Sequence, residues 1–154
     1  MKTHSIFLLI ALVLTSCAAK IRSSTSKQAT TKMAGTWKLI IGMVIEKGDT
    51  TLTDYTKNTS FIKIINNTHF AFMQHDLSKG KDTTAVFVAG GGKYSLSDSL
   101  YTEHLEYCND RNWENNDFSF IISIKNDTLV QRGVEKVESA GVNRVNMEKY
   151  VRLR

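Results

Sequence analysis

From Gly35 onward the chain is written in short runs of alternating apolar and polar residues, each closed by Gly, Asn, Asp or Ser. A period of two bounded by turn residues predicts β-strands. Trp37, Leu39 and Ile41 share one face of a first strand over residues 36–46, which ends at Lys47-Gly48-Asp49 and continues beyond that turn over residues 50–55. Residues 60–65 and 68–73 meet at Asn66-Asn67 and read as a hairpin. Residues 84–89 run into Gly90-Gly91-Gly92, which reads as a turn or kink before a separate strand over residues 93–96. Ser97-Asp98-Ser99 turns the chain into residues 100–108. A polar loop over residues 109–116 precedes strands at 117–125 and 128–133, and residues 144–153 close the chain. Residues 134–143 leave strand and short helix open. The pattern is all-β: about eight to ten short strands in an antiparallel barrel or sandwich.

The first 34 residues follow another logic. Lys2 precedes a short apolar run over residues 6–14, too short to span a bilayer as a mature helix, and Leu14-Thr15-Ser16-Cys17 then matches the bacterial lipobox. The match resembles a lipoprotein signal peptide at residues 1–16, cut before Cys17. The resemblance implies diacylation of the Cys17 thiol, and more than one acyl chain gives stable membrane anchoring. Residues 17–34 are then the lipidated cysteine and a flexible Ser/Thr/Lys spacer, leaving residues 35–154 as one domain.

That division changes the meaning of the charge. The net +5 of the whole chain resides in Lys2, Lys20, Arg22, Lys27 and Lys32. The remaining 15 basic residues face all 15 acids. A nucleic-acid binder carries its positive charge on the folded face, so nucleic acid is not an expected partner. The tether cations can lie against anionic lipid. With Cys17 acylated, Cys108 is left alone and is read as a small packing residue.

Gly35-Thr36-Trp37, the stretch from Lys63-Ile64 to Phe72, Gly91-Gly92-Lys93-Tyr94, Tyr101-Thr102-Glu103 with Leu105-Glu106-Tyr107, and the closing Tyr150-Val151-Arg152 together resemble lipocalin-like (calycin-type) lipoproteins of Bacteroidetes-type bacteria, a group of largely unassigned function. The resemblance covers most of residues 35–154. It implies a single antiparallel lipocalin-like β-barrel in which Trp37 plugs one end and an arginine near the chain's end, Arg152 or Arg154, covers the indole face. The lipobox implies lipid anchoring in the bacterial cell envelope, with the outer membrane expected and the periplasmic or surface face left open. The Thr-Asp-Tyr turn of lipocalins belongs late in the barrel, whereas Thr53-Asp54-Tyr55 falls early and is read as coincidence.

In a small barrel alternate residues face the lumen. Tyr101, Glu103, Leu105 and Tyr107 share the more apolar face of their strand and are expected inward. Glu103 then needs a buried partner, a tyrosine hydroxyl or a cation such as Arg132 or Arg152. The candidate lumen is Trp37, Phe61, Met73, Tyr94, Tyr101, Glu103, Tyr107 and Arg152. It forms either a ligand cavity with a polar handle or a hydrogen-bonded cluster filling a narrow barrel. No cofactor or metal is expected: His69 with Met73, and His104 with Glu106, lack further ligands. No nucleophile motif is present, and the odd spacing of Glu103 and Glu106 places them on opposite faces, so catalysis is not expected. The expected function is binding or carriage of a small apolar or amphipathic ligand. The alternative is a non-catalytic interaction module with a filled barrel that engages an envelope protein through Trp113.

Overall fold

The structure, a computed structural model, describes residues 32–154. The signal peptide, the lipobox Cys17 and the tether through residue 31 lie outside the described residues.

The domain is all-β. Its strands are β1 (Gly35–Glu46), β2 (Asp49–Asp54), β3 (Thr59–Ile65), β4 (His69–Asp76), β5 (Phe87–Ser97), β6 (Leu100–Cys108), β7 (Asn116–Lys125), β8 (Thr128–Val137) and β9 (Val142–Leu153). Every neighbouring pair is antiparallel, and β1 pairs with β9 to close the sheet on itself. With β9 on one edge of β1, the other edge is shared: β2 pairs with Ile41 to Glu46, and β3 with Gly35 to Lys38. The two are halves of one stave, interrupted at residues 55–58. Nine strands therefore make a closed eight-stranded antiparallel barrel. All six residues of β2 are exposed, so its hairpin with β1 stands above the rim.

With no proline in the chain, left-handed residues turn the hairpins: Lys47, Asp98 and Asn126 carry φ of 52°, 54° and 54°. Two open readings are resolved. The glycine run does not interrupt a strand, because β5 passes through it with a register shift at Gly91/Gly92. Residues 134–143 extend β8 to Val137 before a 3-10 turn at Glu138–Ala140.

One end of the barrel is sealed by Trp37, which is fully buried in a cluster with Met33, Leu39, Ile65, Phe70 and Leu129. Its indole N–H donates to the Met33 carbonyl at 2.8 Å. The Arg152 guanidinium lies 4.1 Å from the Trp37 ring centre. That guanidinium also donates to the backbone carbonyls of Ala34, at 2.7 Å, and Lys32. The motif's glycine suits this contact. Gly35 has φ of +143°, a conformation side-chain-bearing residues rarely adopt, and a Cβ there would also displace the tip of the Arg152 guanidinium. Arg154 instead pairs with Asp127 at the surface.

Arg152→Lys keeps the charge but loses the stacked fork. It is expected to lower unfolding stability by about 1–3 kcal/mol, whereas Arg154→Lys stays within about 0.5 kcal/mol. Urea unfolding followed by tryptophan fluorescence measures both, and equal effects would contradict the assignment of Arg152 to the plug.

Candidate functional site

Above the plug the inward-facing residues become polar. Lys63 on β3, Glu103 on β6, Gln131 on β8 and Glu148 on β9 meet across the middle of the barrel. The Lys63 ammonium donates to Glu103 Oε1 at 2.6 Å and to Gln131 Oε1 at 3.2 Å, and lies 4.0 Å from Glu148 Oε2. Gln131 Nε2 and the Tyr150 hydroxyl both donate to Glu148 Oε2, at 2.6 and 2.7 Å. The Lys63 ammonium is also 5.4 to 6.0 Å from the ring centres of Tyr150, Phe70 and Tyr101. A lysine only 2 % exposed persists because this cage supplies opposite charge and ring faces. Burial alone pulls its pKa down, but the Glu103 and Glu148 carboxylates outweigh that and hold it above the ordinary lysine value.

Nearer the open end a second polar group forms on β8 and β9. Glu135 accepts from Arg144 Nε and from Asn146 Nδ2, both at 2.7 Å. Burial raises the Glu135 pKa above the ordinary carboxylate value, and Arg144 opposes that in part. The Arg144 guanidinium lies 5.3 Å from the Trp113 ring centre, and that ring packs on Phe118 at 5.8 Å.

Between these polar groups and the rim lies a cavity of about 350 Å³. Its apolar wall is Phe61, Phe72, Val88, Leu105, Phe120 and the rings of Tyr55 and Tyr150. Tyr55 reaches the lumen from the break between β2 and β3. Gly42 makes room for it: a Cβ at Gly42 would stand 2.9 Å from the Tyr55 ring. The size falls at the lower end of the range for small-molecule sites, roughly 300–1,000 Å³.

Of the residues expected in the lumen, Phe61 and Glu103 line this cavity. Trp37 and Arg152 form the plug, and Tyr101 is fully buried in the core. Tyr94 also faces inward near the plug, its ring 5.3 Å from Tyr101 and its hydroxyl donating to the Asn66 carbonyl at 2.8 Å. Met73 and Tyr107 are corrections. Met73 pairs with Ala89 on the outer face while Phe72 takes the inner position. Tyr107 is 69 % exposed, because the register skips Glu106 between Leu105 and Tyr107 and so reverses the alternation. Cys108 thereby turns inward and lines the cavity, with burial raising its thiol pKa. The partner of Glu103 is Lys63 rather than Arg132, which is exposed, or Arg152. Trp113 is a packed rim residue rather than an exposed anchor.

Sequence reasoning missed Lys63, Gln131, Glu135, Arg144 and Glu148. The usable signal was pairwise: β9 carries polar residues at every second position over Arg144, Asn146 and Glu148, and β8 has Gln131 and Glu135 in the same phase on either side of Gly133. Among the described residues, no group of three or more His, Cys, Asp or Glu side chains is arranged to hold a metal ion.

Neither a known family model nor a curated protein matches the chain. Among solved structures, an uncharacterised protein from Bacteroides eggerthii DSM 20697 is similar at a TM-score of 0.45 and 10% identity, over 78% of this chain and 98% of that one.

Removing only the cation from the buried pair leaves a carboxylate without compensation. Lys63→Met is expected to cost about 3–5 kcal/mol of stability, and Lys63→Met with Glu103→Leu to recover most of that loss. Denaturant unfolding of both variants measures this, and a single-variant loss below about 1 kcal/mol would mean that water already compensates Glu103.

Proposed function

We propose that this protein is a membrane-anchored binding protein of the bacterial cell envelope, which takes a small amphipathic molecule into the open half of its barrel. The carrying observation is the cavity of about 350 Å³ lined by both aromatic rings and charged groups. Burial of apolar ligand surface against Phe61, Phe72 and Phe120 supplies affinity, and the polar wall orients the ligand. An entirely apolar cargo is a poorer fit, because it would strip water from Glu135, Arg144 and Glu148 and return no hydrogen bond.

The cavity favours this reading over a filled barrel that acts as an interaction module. The packing of Trp113 between Phe118 and Arg144 removes the feature that recommended that alternative. The anchor rests on the lipobox ending at Cys17, with residues 18–31 as the spacer that holds the barrel off the membrane, since Met33 already packs on the Trp37 plug. The protein acts by binding, without catalysis.

Mass spectrometry of the protein extracted from its own membrane in mild detergent tests both parts. The denatured spectrum is expected to place acyl groups on Cys17 as the first residue, and an unmodified Cys17 would overturn the anchor. The native spectrum is expected to carry a discrete excess mass that extracts into organic solvent. A bare mass that persists after incubation with envelope lipid extract would overturn carriage.

A further inference from the structure

The charges of the lumen do not balance. Glu103, Asp110, Glu135 and Glu148 line the cavity against only Lys63 and Arg144. Both cations are committed, Lys63 to Glu103 at 2.6 Å and Arg144 to Glu135 at 2.7 Å. Glu148 stands 4.0 Å from Lys63, and among the described residues it has no cation of its own. Its Oε2 is occupied by Gln131 and Tyr150, whereas no donor among the described residues reaches its Oε1. Below the cavity, the fully buried Tyr101 hydroxyl has no hydrogen-bond partner among the described residues, and besides burial the carboxylates of Glu103 and Glu148 raise its pKa.

Around the same place the rings are gathered. Phe61 lies 5.8 Å from Tyr55, 6.0 Å from Phe72 and 6.5 Å from Tyr150, between ring centres. The Tyr55 hydroxyl is close enough for Glu148, Arg144 and Glu135 to act on it after burial has raised its pKa. A wall with surplus negative charge and ring faces turned to a half-enclosed space attracts a cation more strongly than open water would allow. A divalent metal is the wrong cation, since it demands oxygens converging within about 2.0–2.6 Å and these carboxylates are spread along the wall. An organic cation with an apolar body matches both surfaces.

Resting on the lumen-binding reading above, we propose that the ligand is a small amphipathic amine, its ammonium against Glu148 and its apolar body among Phe61, Phe72 and Phe120. The cavity of about 350 Å³ equals the volume of roughly a dozen liquid waters, so the body it takes is on the order of ten to fifteen non-hydrogen atoms. The ammonium completes Glu148 and restores one positive charge to a wall that lacks it. An anionic amphiphile of the same shape would add to the surplus and is rejected.

Three probes of matched shape separate charge from apolar burial: 4-phenylbutylamine, 4-phenylbutan-1-ol and 4-phenylbutanoate. Each is titrated into the full chain, as processed by the expressing cell and held in phosphatidylcholine nanodiscs, with empty nanodiscs subtracted. Trp113 at the cavity wall reports occupancy by fluorescence. The amine is expected to bind about ten-fold more tightly than the alcohol and the carboxylate more weakly than either. Glu148→Gln is expected to remove the amine's advantage over the alcohol. If that variant does not fold, the ranking of the three probes on the native chain decides alone. A carboxylate that binds as tightly as the amine, or an amine advantage that survives Glu148→Gln, would overturn the amine assignment while leaving lumen binding intact. Failure of all three probes to bind would overturn lumen binding itself.

Discussion

Closure of β1 against β9 is the constraint on which the rest of this molecule depends. A sheet that closes has no edge, so every inward side chain is committed to one enclosed volume. The Arg152 guanidinium fastens that closure. It stacks on Trp37 of the first strand, holds the backbone that leads into it at Ala34 and Lys32, and occupies the space that Gly35 leaves open. One side chain thus joins the two ends of the domain and seals one end of the barrel, which leaves the lumen reachable from the other.

With the floor fixed, the middle of the barrel sets the chemistry. A lysine at this depth requires carboxylates, and Glu103 and Glu148 supply them from β6 and β9, with Gln131 joining them from β8. Four staves are tied together through one ammonium, so the polar layer holds the barrel's cross-section while it divides a packed core from an open cavity. Because the layer holds more acid than base, the same contacts that stabilise the fold leave a negative field in the space above it.

The architecture was legible in the chain because turn chemistry is local. Asp98 and Asn126 stand in left-handed turns where Ser97-Asp98-Ser99 and Asn126-Asp127 foretold them, and the Gly35-Thr36-Trp37 start and Arg152 lie where alternation and the lipocalin resemblance put them. The site was less legible, for three physical reasons. Residues 61–65 are apolar on both faces apart from Lys63, so alternation does not say which face is inside. The inner faces of β8 and β9 are polar at Gln131, Glu135, Arg144, Asn146 and Glu148, between apolar Leu129, Val137 and Tyr150, which defeats the rule that the apolar face points inward. Finally, a bulge at Gly91/Gly92 reverses the phase of β6 beyond Leu105. That reversal exchanges Tyr107 for Cys108, and nothing in the spacing of β6 alone records it.

The central claim is that the open half of the barrel is a binding chamber rather than unfilled packing. A crystal of the protein soaked with 4-(4-bromophenyl)butan-1-ol addresses it directly, since bromine is located by its anomalous scattering without reference to the surrounding density. The account predicts one bromine peak inside the barrel, among Phe61, Phe72 and Phe120. A peak found only on the outer face, beside Met73 and Tyr107, with the lumen holding ordered water alone, would contradict it.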